Sequence, residues 1–149
     1  MPPQTTSLYH TDYQLWLEQT IAQLKVQDFH NLDLENLIEE IISLSKRDKR
    51  AILSYLMRLC EHLLKLQYWE VEKEYSRRGW IIEINNFRTE IQLILQDSPS
   101  LKTFFREALP ECYQKARKNI LRTTATPPDL IPQTPPFTPE QLLDEDWLP

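Results

Sequence analysis

The stretch "LDLENLIEEIISLSKRDKR", residues 32–50, decides the fold class, because its apolar residues recur at the spacing of one face of an α-helix. Asp33 stands at the N-cap position, and Leu32 and Leu37 occupy the two positions of a hydrophobic staple. At about 100° per residue, the apolar side chains fill one arc about 160° wide. This arc is predicted to be the buried face, and it consists of Leu34, Leu37, Ile38, Ile41, Ile42 and Leu44.

Three glutamates interrupt the apolar residues of this stretch. Glu40 falls on the side opposite the arc and is predicted to face solvent. Glu35 borders the arc next to Ile42, and Glu39 lies just outside it. Glu35, and less directly Glu39, are therefore predicted to line the rim of the buried face.

The helical pattern continues on both sides of this stretch. A capping box in "TDYQ" predicts a first helix that begins at Thr11 and ends near Gln27–Asp28. The run "SKRDKR" is interpreted as a break, with Ser45 as the cap of a third helix over about residues 46–69. A fourth helix is expected from about Arg78 to Gln96, after the polar connection "VEKEYSRRG".

Prolines shape the last third of the chain. Ser98 and Pro99 are expected to start a fifth helix, in which Pro110 should cost about 3 kcal/mol unless the helix kinks or divides there. Residues 125–138 contain five prolines and no apolar periodicity, which predicts an extended strap on the surface. Residues 139–149 are predicted to form a short acidic helix that begins with a capping box.

These patterns predict a single all-α domain over residues 1–149, with a helical body at residues 11–124. The body is expected to be an irregular bundle of about five main helices, followed by the strap and the terminal helix. The single glycine, Gly79, argues against a β-rich fold and excludes the glycine-rich loops that bind nucleotide phosphates.

Charge and apolar content limit the partners. The net charge of −5 equals that of residues 125–149 alone, so the first 124 residues are neutral and nucleic acid is an unlikely ligand. The chain has neither a signal-peptide pattern nor an apolar run long enough to span a membrane. Cys60 and Cys112 lie in helical patterns and are predicted to be packed thiols. We expect a cytoplasmic protein without a cofactor.

Several motifs in order give the chain a resemblance to a known family. These are "LDLENLIEEI", "HLLKLQ", the set Trp80, Ile84 and Arg88, "DSPSL" and "LLDEDWLP". Over about residues 8–149 the chain resembles the bacterial, largely cyanobacterial, domain-of-unknown-function family twenty-nine. The resemblance implies an all-helical cytoplasmic protein and no established activity. The chain departs from the family pattern near Gln27–Asp28 and at Ser45, where glycines are usual, and at Phe87, where glutamine is usual.

Arg88 is the residue that fits its predicted surroundings least well, because it falls inside the apolar arc of the fourth helix. One interpretation is that its stem packs while its guanidinium reaches water. The other is a pair with Glu35 or Glu39 on the rim of the second helix, with His62 nearby. Such a pair would fix how the helices meet.

Two functions remain open at this point. The leading hypothesis is a non-catalytic helical protein-interaction module that binds a protein partner or a second copy of itself. The alternative is a metal-assisted or acid–base enzyme that uses Glu35, Glu39, His62 and Arg88 in a pocket between helices. Metal binding has little support, because no Glu-x-x-His pair is present.

The C-terminal run "LLDEDWLP" supplies four apolar anchors amid carboxylates. Leaving a large apolar side chain exposed forgoes about 1.5–3 kcal/mol, so these side chains should dock on a surface. Docking on the chain's own body is the expected outcome, and docking on a partner or a symmetry mate is the functional alternative. The anchors are Leu142, Leu143, Trp147 and Leu148.

Overall fold

A computed structural model describes residues 7–149 of the chain. The prediction of an all-α fold is confirmed: six α-helices and two short 3₁₀ turns make up its regular structure, and residues 7–149 contain no strand. Four of the helices are long. The helices are α1 (Leu8–Thr11), α2 (Tyr13–Lys25), α3 (Leu34–Tyr68), α4 (Glu70–Asp97), α5 (Leu101–Thr124) and α6 (Pro139–Leu143), and the 3₁₀ turns are Phe29–Asn31 and Pro128–Leu130.

The chain forms two compact units whose boundary falls inside α3, between Lys46 and Arg47. We refer to residues 7–46 as the first unit and to residues 47–149 as the second unit. The first unit contains α1, α2 and the beginning of α3. The second contains the rest of α3 and all later elements.

The first unit begins with two helices, α1 and α2, rather than one. Asp12, not Thr11 as expected, is the N-cap of α2, and its carboxylate accepts from the Leu15 amide at 3.1 Å. The helix ends as a Schellman motif, in which the amide of Asp28 donates to the carbonyl of Gln23 at 2.9 Å. This ending places Gln27 at φ 61, a conformation that favours glycine.

The expected break at Ser45 is wrong, because α3 runs without interruption from Leu34 to Tyr68. Ser45 does not cap a helix. Its hydroxyl donates to the carbonyl of Ile42 at 2.7 Å, one turn back in the same helix. The run "SKRDKR" contains no glycine or proline, and Lys and Arg are good helix formers, so nothing in it forces the helix to stop.

The expected polar connection "VEKEYSRRG" is also wrong, since α4 begins at Glu70 and includes it. Glu, Lys and Arg have high helix propensity, and polarity alone does not distinguish an exposed helix from a loop. The stacked rings of Trp69 and Trp80, with centroids 5.7 Å apart, help to fix this end of α4. Gly79 lies within the helix, and a Cβ placed there would meet nothing within 4 Å.

Helix α5 begins later than expected and does not divide at its proline. Ser100 is its N-cap rather than Ser98, because the amide of Leu101 donates to the carbonyl of Ser98 and closes a turn first. The helix then continues through Pro110 to Thr124. Pro110 is exposed, so water can reach the carbonyl that the missing amide leaves without a partner.

The second unit contains the hydrophobic core of the protein. Side chains of α3, α4 and α5 form it, joined by Ile131 and Phe137 of the strap and Leu142 of α6. The strap carries a 3₁₀ turn and is held along α5 by Arg117, which donates to the carbonyl of Ile131 at 3.1 Å. The expected terminal helix is shorter than predicted and ends at Leu143.

Candidate functional site

Arg88 lies in α4 with only 1% of its surface exposed, so its predicted place in the apolar arc is confirmed. Its partners differ from the expected ones. The guanidinium does not take a carboxylate of Glu35 or Glu39; Nε donates to the carbonyl of Leu142 at 2.8 Å and Nη2 to that of Gln141 at 3.1 Å. Both partners belong to the same unit as Arg88. The head does not reach water either, which corrects the other interpretation.

The end of α6 explains these partners. The last carbonyls of a helix have no partner inside it, and basic side chains satisfy them well. Gln92, one turn after Arg88, donates to the next carbonyl, that of Leu143, at 2.7 Å. We call Arg88 and Gln92, with the carbonyls they contact, the α6 clasp. Burial lowers the pKa of Arg88, while the charges of Asp144 and Glu145 act in the opposite direction.

His62 is half-buried in the second unit and has partners of its own. Its Nδ1 lies 2.8 Å from the carbonyl of Arg58, and its ring meets the ring of Phe87 edge-on at 5.3 Å between centroids. Burial lowers the pKa of the imidazole. The imidazole ring therefore packs against an aromatic surface. His62 and Arg88 therefore share no polar contact among the hydrogen bonds of the described residues.

The three glutamates of α3 have roles opposite to those expected. Glu40, predicted to face solvent, is partly buried and accepts from the hydroxyls of Tyr9 at 2.5 Å and Tyr13 at 2.6 Å. Glu35 and Glu39, predicted to line a buried rim, are exposed. Within residues 7–149 neither of them has an ion pair or a side-chain hydrogen bond.

Two carboxylates hold the first unit together through their hydrogen bonds. The hydrogen bonds from Tyr13 and Tyr9 lower the pKa of Glu40, and the bond to Glu40 raises the pKa of Tyr9 to about 12. Asp33 accepts from Asn36 at 2.7 Å and from the indole of Trp16 at 3.3 Å, and these bonds lower its pKa. Polar contacts thus join α1 and α2 to α3.

The apolar arc of α3 is largely exposed, which contradicts its predicted burial. Asn36 and Glu40, on another side of the helix, make the contacts to α1 and α2. The apolar residues left uncovered are spaced i, i+4, i+7 and i+8, which is one helix face. We call them the α3 stripe: Leu34 is 59% exposed, Ile38 48%, Ile41 57% and Ile42 39%.

Most of the exposed large apolar side chains lie in the first unit. Among the described residues, eleven of the sixteen large apolar side chains that are exposed fall before Arg47. Helix α2 contributes Tyr13, Ile21 and Leu24 to them. Within residues 7–46 the buried side chains are those of Trp16 and Thr20. The first unit by itself therefore leaves most of its large apolar side chains uncovered.

The four predicted anchors dock on the chain's own second unit, as expected. Leu142 is fully buried, and Leu143, Trp147 and Leu148 are partly buried against the core cluster. The ring of Trp147 meets the ring of Phe137 edge-on. This prediction is confirmed, and docking of these residues on a partner is not needed to explain them.

The described residues offer little for metal or thiol chemistry. No group of three or more His, Cys, Asp or Glu side chains within residues 7–149 is arranged to hold a metal ion. Cys60 and Cys112 are free and buried, as predicted, and burial raises the pKa of both thiols. In the same range no helix has the length and apolar content needed to cross a membrane.

Comparison with known proteins identifies the family of the chain. A family model described as "Domain of unknown function DUF29" matches residues 8–148, nearly the whole chain. No curated protein and no solved structure matches the chain.

Proposed function

We propose that this protein, which belongs to the DUF29 family, is a non-catalytic helical module that binds another protein through the α3 stripe. The observation that carries the proposal is the exposure of four large aliphatic side chains on one face of a helix. A single exposed leucine needs no explanation, but a continuous apolar helix face is typical of a binding surface.

The energetics support the same proposal. Burying a large aliphatic side chain stabilises a complex by about 1.5–3 kcal/mol before the cost of association is subtracted. A helix that presents residues at i, i+4, i+7 and i+8 is suited to pack against another helix or in a groove. The bonds of Glu40 and Asp33 keep α1 and α2 on a different side of α3, so the stripe stays available.

The enzyme alternative has weaker support. Two of the three nitrogens of Arg88 donate to carbonyl oxygens, and the ring of His62 packs on Phe87. Glu35 and Glu39 are exposed in the other unit. These observations give no support to a catalytic role for the four residues. We also propose a cytoplasmic location, because two free buried thiols suit a reducing compartment.

Site-specific photocrosslinking in the native cells tests the proposed function. A photoreactive amino acid at position 38, in the stripe, should capture one defined protein. The matched control is position 82, since Ile82 in α4 is 51% exposed but lies outside the stripe. We expect an adduct at position 38 and none at position 82. Equal capture at both positions, or no adduct at either, would contradict the proposal.

A further inference from the structure

We infer that the occupant of the α3 stripe is a basic amphipathic helix of a different protein, and not a second copy of this chain. This inference rests on the proposed function and specifies the partner. Three observations carry it: the charge of the first unit, the position of two free carboxylates beside the stripe, and the spacing of the stripe itself.

The first unit is strongly acidic although the chain as a whole is not. Residues 1–46 contain seven acidic and two basic side chains, which gives a net charge of −5. Residues 47–149 contain fifteen of each and are neutral. The whole net charge of the protein is thus concentrated in the unit that holds most of the exposed large apolar side chains. A field of one sign attracts partners of the opposite sign and repels those of the same sign.

Two of these acidic groups lie beside the stripe with no partner of their own. At about 100° per residue, Glu35 lies about 20° and Glu39 about 60° beyond Ile42 around the helix, so both border one edge of the stripe, and Lys46 falls at an angle between them about two turns further along α3. They are exposed, and within residues 7–149 they take part in no ion pair. Two other carboxylates of the unit, Asp33 and Glu40, are occupied by internal hydrogen bonds.

The chemistry of the partner follows from these positions. Apolar side chains at i, i+4, i+7 and i+8 on α3 fit a helix that carries its own apolar row at similar spacing. A Lys or Arg beside that row would lie opposite Glu35 and Glu39. The stripe is about 12 Å long at 1.5 Å per residue, so a helix of three to four turns would cover it.

A second copy of the chain fits this surface less well. Two first units, each with a net charge of −5, would have to approach each other. In an antiparallel pair of identical helices, the edges formed by Glu35 and Glu39 fall on the same side of the interface. Four carboxylates would then lie on one side of the interface, which disfavours self-association.

Binding of synthetic peptides to the full chain tests the inference. Three labelled peptides of about 18 residues share one composition of apolar residues. The first carries lysines beside a helical leucine row, the second carries glutamates there, and the third has the residues of the first in an order without helical periodicity. Fluorescence anisotropy gives the dissociation constants. The lysine peptide should bind at least about tenfold more tightly than either of the others, and less tightly at higher salt.

Charge reversal locates the contact. Glu39→Lys should weaken the binding of the lysine peptide about fivefold and strengthen the binding of the glutamate peptide. Glu18→Lys makes the same change of charge in α2, outside the stripe, and should alter both constants by less than about twofold. Ile38→Asp should abolish binding of the lysine peptide. Circular dichroism confirms that each variant keeps its helix content.

The possible outcomes separate the inference from the proposed function. Equal binding of the lysine and glutamate peptides, or no binding of either, overturns the inference. A chain that sediments as a dimer, and becomes a monomer with Ile38→Asp, overturns it in favour of a second copy but keeps the stripe as an interface. Capture of an acidic segment at position 38 would overturn the inference that the partner is basic, but it would keep the proposed function. Absence of any adduct at that position overturns the proposed function as well.

Discussion

Arg88 shows how backbone carbonyls can accept the hydrogen bonds of a buried guanidinium. Its place in the apolar face of α4 was predictable from the helical spacing, but whether its guanidinium reaches water was not. Its partners were not predictable, since the carbonyls of Gln141 and Leu142 are more than fifty residues away in sequence and carry no side-chain signal. Any residue type presents the same carbonyl, so a search for acidic side chains near α4 leads to the wrong partner.

Replacing Arg88 should therefore destabilise the second unit. Arg88→Met keeps the apolar stem but leaves the carbonyls of α6 without donors, and we expect a loss of about 3 kcal/mol in the free energy of unfolding. Gln92→Ala, which removes one neutral donor, should cost about 1 kcal/mol. Urea unfolding measures both. The control is Arg78→Met, an exposed arginine of the same helix. Equal losses for Arg88→Met and Arg78→Met would refute the α6 clasp.

At the level of the elements, helix type was predictable and helix ends were less so. The capping box at Thr138 is present as expected, because its signal is local. The break at Ser45 and the connection before Gly79 were wrong, because charged residues suit an exposed helix as well as a loop. The prediction of which face of α3 is buried was also wrong. Periodicity identifies an apolar face, but it does not show whether the chain's own residues or a partner cover that face.

The end of α2 offers a test of backbone strain. A side chain at positive φ costs about 1 kcal/mol, and glycine avoids this cost at a Schellman C′ position. We expect Gln27→Gly to stabilise the first unit by up to about 1 kcal/mol, while Gln27→Ala should not. Amide hydrogen exchange in α2 measures the local effect. Slower exchange in both variants, or in neither, would count against the Schellman ending.

Acid should loosen the first unit before the second. The folded-state pKa values of Asp33 and Glu40 are lowered, so ionised Asp33 and Glu40 stabilise the first unit. This stabilisation is complete above their unfolded-state pKa values of 3.8 and 4.5. It is lost as the pH falls through the lower folded values. The NMR signal of the Trp16 indole, a donor to Asp33, should shift toward its unfolded position in this range. The Trp80 indole serves as control, and a joint shift of both would contradict this account.

At the scale of the whole molecule, the two units differ in how much of their apolar surface they bury. The second unit buries most of its own apolar side chains, including the four C-terminal anchors, and supplies carbonyl partners to two of the three guanidinium nitrogens of Arg88. The first unit has few buried residues, an acidic charge and an uncovered helix face. Composition alone concealed this, since the neutral sum over the first 124 residues combines an acidic segment with a basic one.

Thiol labelling at position 38 tests the central claim most directly. Cys60 and Cys112 are buried and have raised pKa values, so they should react slowly and give a low background. We expect the thiol of Ile38→Cys to react rapidly with a maleimide in the purified chain and to be protected at least about tenfold in the native cells. Ile82→Cys should react alike in both. Equal reactivity of position 38 inside and outside the cell would show that nothing covers the α3 stripe, and would contradict the account.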